Sequence, residues 1–306
     1  MAPEKKSKTL IVIVGPTASG KTALAISIAR HFETAIVSAD SRQIYREMTI
    51  GTAKPTPDEL RQAPHYFIDS HSIKEDYDAA AFGRDALKKI ETVFREKDYV
   101  VLCGGSGLYI RAVLDGFDDI PEIPPSIRGE INDAYEKFGL RWLQERMAEE
   151  DCDQLEKIDR NNPHRLIRAL EVKRGTGFSI AHFQTGKSKR SHDFCVVKIG
   201  LALPRDVLYE RIDRRMDVMI ADGLFEEAKA LYPFREHQAL QTVGYREIFG
   251  YFGGEYNKEE AIRLLKRNSR RYAKRQLTWF RRDTYVTWFE SADFGKILSH
   301  ISERCP

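Results

Sequence analysis

The stretch Gly15-Pro-Thr-Ala-Ser-Gly-Lys-Thr22 fits the spacing G-x-x-x-x-G-K-[ST]. Phosphate binding is the chemistry of that pattern. Gly15 and Gly20 let backbone N–H groups turn inward around phosphate oxygens, with Pro16, Thr17, Ala18 and Ser19 spanning the loop between them. Lys21 adds a point charge, Thr22 offers a hydroxyl ligand to Mg²⁺, and the helix that starts here adds an oriented dipole. A solvated lysine in a plain glycine turn is the competing reading, and the apolar strand before the loop argues against it. The reaction is a separate question. A nucleotide kinase usually holds its Mg²⁺ with a second acid at the end of a neighbouring strand. Here Tyr99-Val-Val-Leu-Cys103 runs into Gly-Gly-Ser-Gly107 with no carboxylate, and the nearest candidate acid, Asp40, follows a different strand.

A second set of residues could bind a polyanion. Residues 261–282 hold nine Lys or Arg and no acid, against a net charge of only +3 for the chain. Arg263, Arg267, Arg270 and Lys274 recur at three- to four-residue spacing and so share one helix face, with Leu265, Tyr272 and Trp279 on the other. A uniformly basic stripe is costly unless a polyanion neutralises it, although a solvated face has the same pattern. Acid collects instead at Glu149, Glu150, Asp151 and Asp153. His31, His65, His71, His182, His192, His237 and His300 show no metal or triad spacing and read as structural. Cys103, Cys152, Cys195 and Cys305 lie far apart with no CxxC pair. Reduced thiols are therefore expected, with neither zinc nor a disulfide framework.

These groups need a scaffold to position them. With 306 residues, 42% hydrophobic and 31% charged, the chain suits a globular protein of up to two domains. Thr9–Val14, Ala35–Ala39, Tyr99–Cys103 and Phe194–Leu203 read as short buried strands. Helical spacing follows the phosphate loop to about His31, covers Asp78–Lys97, opens at Gly104–Gly107 and runs over Arg205–Ala221 behind Pro204. Alternating strands and helices predict an α/β fold, a P-loop-type parallel sheet with helices on both faces. After Gly116 the pattern changes: Pro121, Pro124 and Pro125 break the chain, and helical sequence continues to about Arg190. Gly175, Gly177, Gly186 and the polar run Lys187–Asp193 close it. Residues 1–120 and 191–306 are thus expected to form the core, with 121–190 a helical insertion.

Several blocks resemble the tRNA dimethylallyltransferases, also called tRNA isopentenyltransferases. They are Ser38-Ala-Asp-Ser-Arg-Gln-Ile-Tyr45, Met48-Thr-Ile-Gly-Thr-Ala-Lys-Pro55, Gly104–Tyr109, Asn162–Glu171, Val243-Gly-Tyr-Arg246 and Ala273–Trp279. They stand in the family's order over residues 15–280, and no general phosphate-binding fold needs the Ile-Gly-Thr-Ala-Lys-Pro block. The resemblance implies that the loop, Gly15 to Thr22, grips the diphosphate of dimethylallyl diphosphate with Mg²⁺ on Thr22. The acceptor it implies is N6 of the adenosine beside the anticodon in transfer RNA. The family's catalytic acid falls on Asp40, and an arginine that assists the diphosphate falls on Arg215. Contacts to the anticodon stem-loop fall on Asp40, Ser41, Arg42, Gln43, Ser106 and Arg128. Others fall on His164, Arg165, Leu166, Ile167 and Arg168, and on Gln241, Thr242, Val243, Gly244, Tyr245 and Arg246. Arg270, Arg271, Lys274 and Arg275 complete the set. Two departures stand out: Ser106 replaces a common threonine, and Gln241 replaces an arginine of some relatives. The absence of Cys₂His₂ spacing matches the shorter bacterial type.

Two other classes compete with the prenyltransferase. A P-loop kinase would bind ATP without RNA but lacks the strand-end carboxylate. A non-catalytic RNA-binding protein would use the basic helix and leave the loop and Asp40 unexplained. The apolar run Leu10–Val14 is too short for a signal sequence or a membrane span, and no later run approaches the length of about 18 apolar residues that a span needs. A monomeric cytoplasmic protein with no membrane partner is expected.

Overall fold

The computed structural model describes residues 8–184, 191–290 and 293–305. Two compact units divide the chain, Met1–Leu114 with Ser191–Pro306, and Asp115–Arg190.

The first unit is organised by β1 (Thr9–Val14), whose six residues are all buried. Side chains alternate across a strand, so this short run feeds two layers. Leu10, Val12 and Val14 pack with Phe82, Ile90 and Val113 on one face, while Ile11 and Ile13 pack with Leu24, Ile28, Ile297 and Ile301 on the other. The chain continues through α1 (Lys21–His31), β2 (Ile36–Ser38), α2 (Pro57–Leu60), β3 (His65–Tyr66), α3 (Ala79–Phe94), β4 (Tyr99–Gly104) and α4 (Gly107–Leu114). All strand pairs are parallel, in the order β3-β2-β4-β1-β5-β6, where β5 is Cys195–Leu201 and β6 is Val286–Phe289. Neither β3 nor β6 is among the strands expected from the sequence. Two residues of β3 carry no period, and β6 acquires its identity only by pairing Lys198–Leu201 of β5 with Val286–Phe289.

Helices of the second unit are α5 (Pro125–Glu150), α6 (Cys152–Lys157), α7 (Pro163–Thr176) and α8 (Ile180–Phe183). Gly139 interrupts α5 with a φ of 73°. Ile131, Leu143, Met147, Leu166, Leu170 and Val172 form its core. Asn162 caps α7 by accepting from the N–H of Arg165, and Gly177 ends it in the left-handed region. Gly186 and Lys187–Arg190, expected to help close this segment, lie outside the described residues.

Back in the first unit, α9 (Arg205–Ala221), α10 (Leu224–Leu231), α11 (Tyr245–Phe252) and α12 (Lys258–Phe280) share a core around Met219, Leu224, Tyr245, Ile248 and Leu265. The helix α13 (Phe294–Arg304) covers the sheet beside α1. Its end corrects the cysteine expectation. Cys305 is joined in a disulfide to Cys195 at the start of β5, with a Cα–Cα separation of 6.2 Å, leaving Cys103 and Cys152 as free thiols. The two positions are 110 residues apart, so only the packing of α13 on the sheet brings them together. Among the described residues, no helix is long and apolar enough to cross a membrane.

Candidate active site

The phosphate loop leaves the C-terminal end of β1. Gly15 has a φ of 149°, and a Cβ there would stand 2.5 Å from the Leu201 carbonyl oxygen. Gly20, with a φ of 94°, and Ala18, with a φ of 64°, are also left-handed. Residues in that conformation turn successive amides toward a common concavity suited to an anion. Ser19 Oγ is buried with no hydrogen-bond partner among the described residues. Lys21 Nζ donates to the Pro16 carbonyl at 2.6 Å. Burial lowers its pKa to about 8; Arg215 pushes the same way, and Cys103 and Asp40 oppose. Arg215 reaches the loop from α9, where its Nη1 donates to Thr17 Oγ1 at 3.3 Å, and burial lowers its pKa too. Its neighbours Arg211 and Arg214 are exposed. Two partly desolvated cations beside the left-handed turns of the loop form a surface that a diphosphate would neutralise.

Asp40 stands just past β2, where parallel sheets place ligand chemistry, at the C-terminal strand edge. Its Oδ1 accepts from the backbone N–H of Arg42 at 2.9 Å and of Gln43 at 3.3 Å. That turn fixes the carboxyl and leaves Oδ2 outside both bonds. Across from it, Ser106 Oγ accepts from the Ser41 N–H at 3.0 Å and lies 3.1 Å from Ser41 Oγ. Both strands approach so closely that a Cβ on Gly104 would sit 2.1 Å from the Ala39 carbonyl oxygen. Gln43 donates from Nε2 to the carbonyls of Thr52 and Ala53, so its amide anchors the Ile-Gly-Thr-Ala-Lys-Pro segment.

Gln276 was not singled out from sequence, yet it ties the site together. Its buried amide accepts from the Thr17 N–H at 2.9 Å and donates to the Gly105 carbonyl at 2.9 Å. The phosphate loop, the glycine turn after β4 and α12 therefore share one side chain. Lys54 also lines this region, and its ammonium is engaged internally by the Tyr45 carbonyl and Asp69. Thr17–Thr22 of the loop, Asp40, Arg42, Gln43, residues 49–57, Arg215 and Gln276 all line one cavity of about 630 Å³. Ile50, Met216, Met219 and Leu224 supply an apolar stretch of its wall.

On α12 the basic stripe is less bare than its own sequence implies. Arg270 Nη1 contacts both oxygens of Asp213 at 2.6 Å, Lys266 pairs with Asp217, and Arg263 pairs with Glu260. The compensating acids come from α9 and from the first turn of α12, outside the 261–282 window. Arg271, Lys274 and Arg275 remain exposed. Trp279, expected on the covered face, is 37% exposed and packs over Gly107, where a Cβ would lie 2.1 Å from its Nε1. Arg246, Arg271 and Arg275 line a second, polar cavity of about 780 Å³ together with Gln241, Thr242 and Val243. Gln241 donates from Nε2 to the Arg235 carbonyl at 2.7 Å. Gly244 and Tyr245 are buried, so they shape this segment from below.

In the second unit, Glu171 is 6% exposed and receives both Arg128, at 3.4 Å, and Arg168, at 3.0 Å. One buried carboxylate thus orients two arginines from different helices. His164 and Arg165 are exposed on α7, whereas Leu166 and Ile167 point into the core. Among the described residues, no group of three or more His, Cys, Asp or Glu could hold a metal. A metal here would have to share its shell with a ligand's oxygens, as Mg²⁺ on Thr22 and a diphosphate would.

Fold and site together define a phosphate-loop α/β protein with an acid and a basic helix at the C-terminal strand edges. The family model described as IPP transferase matches residues 43–283. The tRNA dimethylallyltransferase of Cytophaga hutchinsonii is 49% identical over 298 residues, covering 97% of this chain and 98% of that one. That of Flavobacterium johnsoniae is 47% identical over 304 residues, with coverage of 97% and 98%. The crystal structure of the tRNA isopentenylpyrophosphate transferase from Bacillus halodurans superimposes with a TM-score of 0.70 at 39% identity, covering 97% of this chain and 98% of that one. A eukaryotic dimethylallyltransferase acting on tRNA shares the fold, with a TM-score of 0.76 at 24% identity over 97% of this chain and 77% of that one. The chain belongs to the IPP transferase family, and the kinase alternative is not favoured.

Proposed function

We propose that this chain transfers the dimethylallyl group of dimethylallyl diphosphate to N6 of the adenosine beside the anticodon of transfer RNA, releasing diphosphate. One observation carries the reading: two half-buried cations, Lys21 and Arg215, converge on the phosphate loop in the cavity that Asp40 also lines. Loop amides, Lys21 and Arg215 hold the leaving group and stabilise the charge that develops as the allylic C–O bond breaks. The Ser19 hydroxyl, buried without a partner among the described residues, and the half-buried Lys21 ammonium fit an anion. Thr22 would hold Mg²⁺ with oxygens of the diphosphate, and the ion supplies further charge neutralisation.

The N6 lone pair attacks the allylic carbon, and the N6 proton passes to Asp40 Oδ2. An adenine stacked in its loop cannot reach a carboxyl at a strand edge, so the base is extruded into the cavity. Arg42 and Gln43 adjoin Asp40, and Ser41 and Ser106 face each other there. Lys274, Arg275 and Arg246 on the first unit, and Arg128, His164, Arg165 and Arg168 on the second, are the side chains assigned to the RNA. Sequence-independent phosphate contacts from them offset the unstacking cost of a few kcal/mol. A monomer suffices, because the groups assigned to chemistry line one cavity of a single copy. The test incubates the protein with dimethylallyl diphosphate, Mg²⁺ and unmodified transfer RNA, then seeks a prenylated adenosine by mass spectrometry. Absence of that product, with ATP turnover in its place, would return the loop to the kinases.

A further inference from the structure

Glu227, on the first turns of α10, makes a set of bonds unusual for a half-buried acid. Its Oε2 accepts from the backbone N–H of Thr49 at 2.9 Å and of Ile50 at 2.8 Å. Its Oε1 accepts from the Gly51 N–H at 2.9 Å and from the Tyr245 hydroxyl at 2.6 Å. Three successive amides converging on one carboxylate make a small anion nest, here occupied by the chain's own side chain. The fit is close: a Cβ on Gly51 would stand 2.6 Å from the Tyr245 ring.

This carboxylate sits behind the donor cavity rather than in it. Thr49, Ile50 and Gly51 form one part of the cavity wall, Leu224 another, and Thr242, Val243 and Gly244 a third. Glu227 bonds the first directly and the third through Tyr245, while its own helix carries Leu224. Ile50 is further seated against the turn before α10, 3.9 Å from a Cβ built on Gly223. We propose that Glu227 is a positioning residue that holds the 49–51 wall, and Ile50 with it, where the prenyl chain of the donor packs. The inference rests on the prenyltransferase reading above.

Glu227→Gln preserves the shape but offers one acceptor oxygen, and its NH₂ would face amide donors. The assay is steady-state prenylation of transfer RNA with dimethylallyl diphosphate, at least about 20 °C below the variant's unfolding midpoint, with the folded fraction measured. Wild-type turnover tests the prenyltransferase reading, and the variant tests this inference. The expected result is a donor KM at least fivefold above wild type with kcat within threefold, because the phosphate loop and Asp40 are untouched. A residue that only stabilises the fold would lower the midpoint and leave donor KM alone. A KM rise smaller than fivefold overturns the assignment. Should Glu227→Gln not fold, Tyr245→Phe decides the question, since it removes one bond of the four. A donor KM raised at least threefold supports the positioning role, and a smaller change overturns it.

Discussion

Replacing Asp40 with asparagine separates the oxygen that holds the turn after β2 from the one proposed above to take the N6 proton. Oδ1 takes the amides of Arg42 and Gln43 and holds the turn after β2. An asparagine carbonyl can accept both bonds, so the turn and the cavity wall should persist and the unfolding midpoint should barely move. Oδ2 becomes an NH₂ group, which neither carries charge nor accepts a proton. Losing a general base costs about 10²–10⁴ in rate, or roughly 3–5 kcal/mol of barrier at 1.36 kcal/mol per decade. The assay is single-turnover prenylation with enzyme in excess, which removes product release from the measured rate. Donor and RNA affinities, measured separately, should stay within about threefold of wild type, since the charged contacts to both lie elsewhere. Asp40→Ala should be at least as slow and should also lose stability, because it empties both amide partners. A near-wild-type single-turnover rate for Asp40→Asn would refute the reasoning and leave Asp40 as a turn-forming residue, with water or the diphosphate accepting the proton.

Lys21 should set an alkaline limb. Its ammonium is favoured below about pH 8 and lost above it, so kcat/KM for the donor should fall as pH rises through about 8, and Lys21→Met should abolish that limb as well as most activity. The same burial makes the charged form unfavourable in the fold; the unfolded lysine titrates near 10.4, so the ligand-free protein should gain stability between about pH 8 and 10, which thermal melts across that range will read. Charge reversal at Lys274 and Arg275 should lower the salt slope of RNA binding by about 1 for each phosphate no longer neutralised, with donor KM unchanged; an unaltered slope makes that face merely solvated. Arg270→Ala should behave differently, leaving Asp213 unpaired and costing about 1 kcal/mol or less of stability in urea melts. Gln276→Ala unties Thr17 from Gly105 and should raise donor KM, whereas a variant matching wild type in KM would show that the loop keeps its shape unaided.

Local chemistry was legible in the residues themselves. The phosphate loop depends on glycines at fixed spacing and one lysine, all within eight positions, and its strand and helix announce themselves by β-branching and by period. Pro204 marked the start of the helix Arg205–Ala221, and the observed limits match the expected ones. What sequence could not supply were partners brought together by folding. Thr17 and Gln276 are 259 positions apart, Thr49 and Glu227 are 178 apart, and nothing in either neighbourhood marks the other. The basic helix carried the same blind spot. Its charge was visible, but Asp213 and Asp217 lie on another helix, so which arginines are left free was decided only by packing. Burial drew a similar line through His164–Arg168, where the helical turn of α7 sends His164 and Arg165 to solvent and Leu166 and Ile167 to the core, and through Gln241–Arg246, where the turn leading into α11 buries Gly244 and Tyr245 and leaves Gln241 and Arg246 exposed. Composition and spacing thus determined which groups this chain has available for phosphate and RNA, while the tertiary structure decided which remain free to use. A hydrogen bond or ion pair needs both partners in one place, and only the closed fold puts them there.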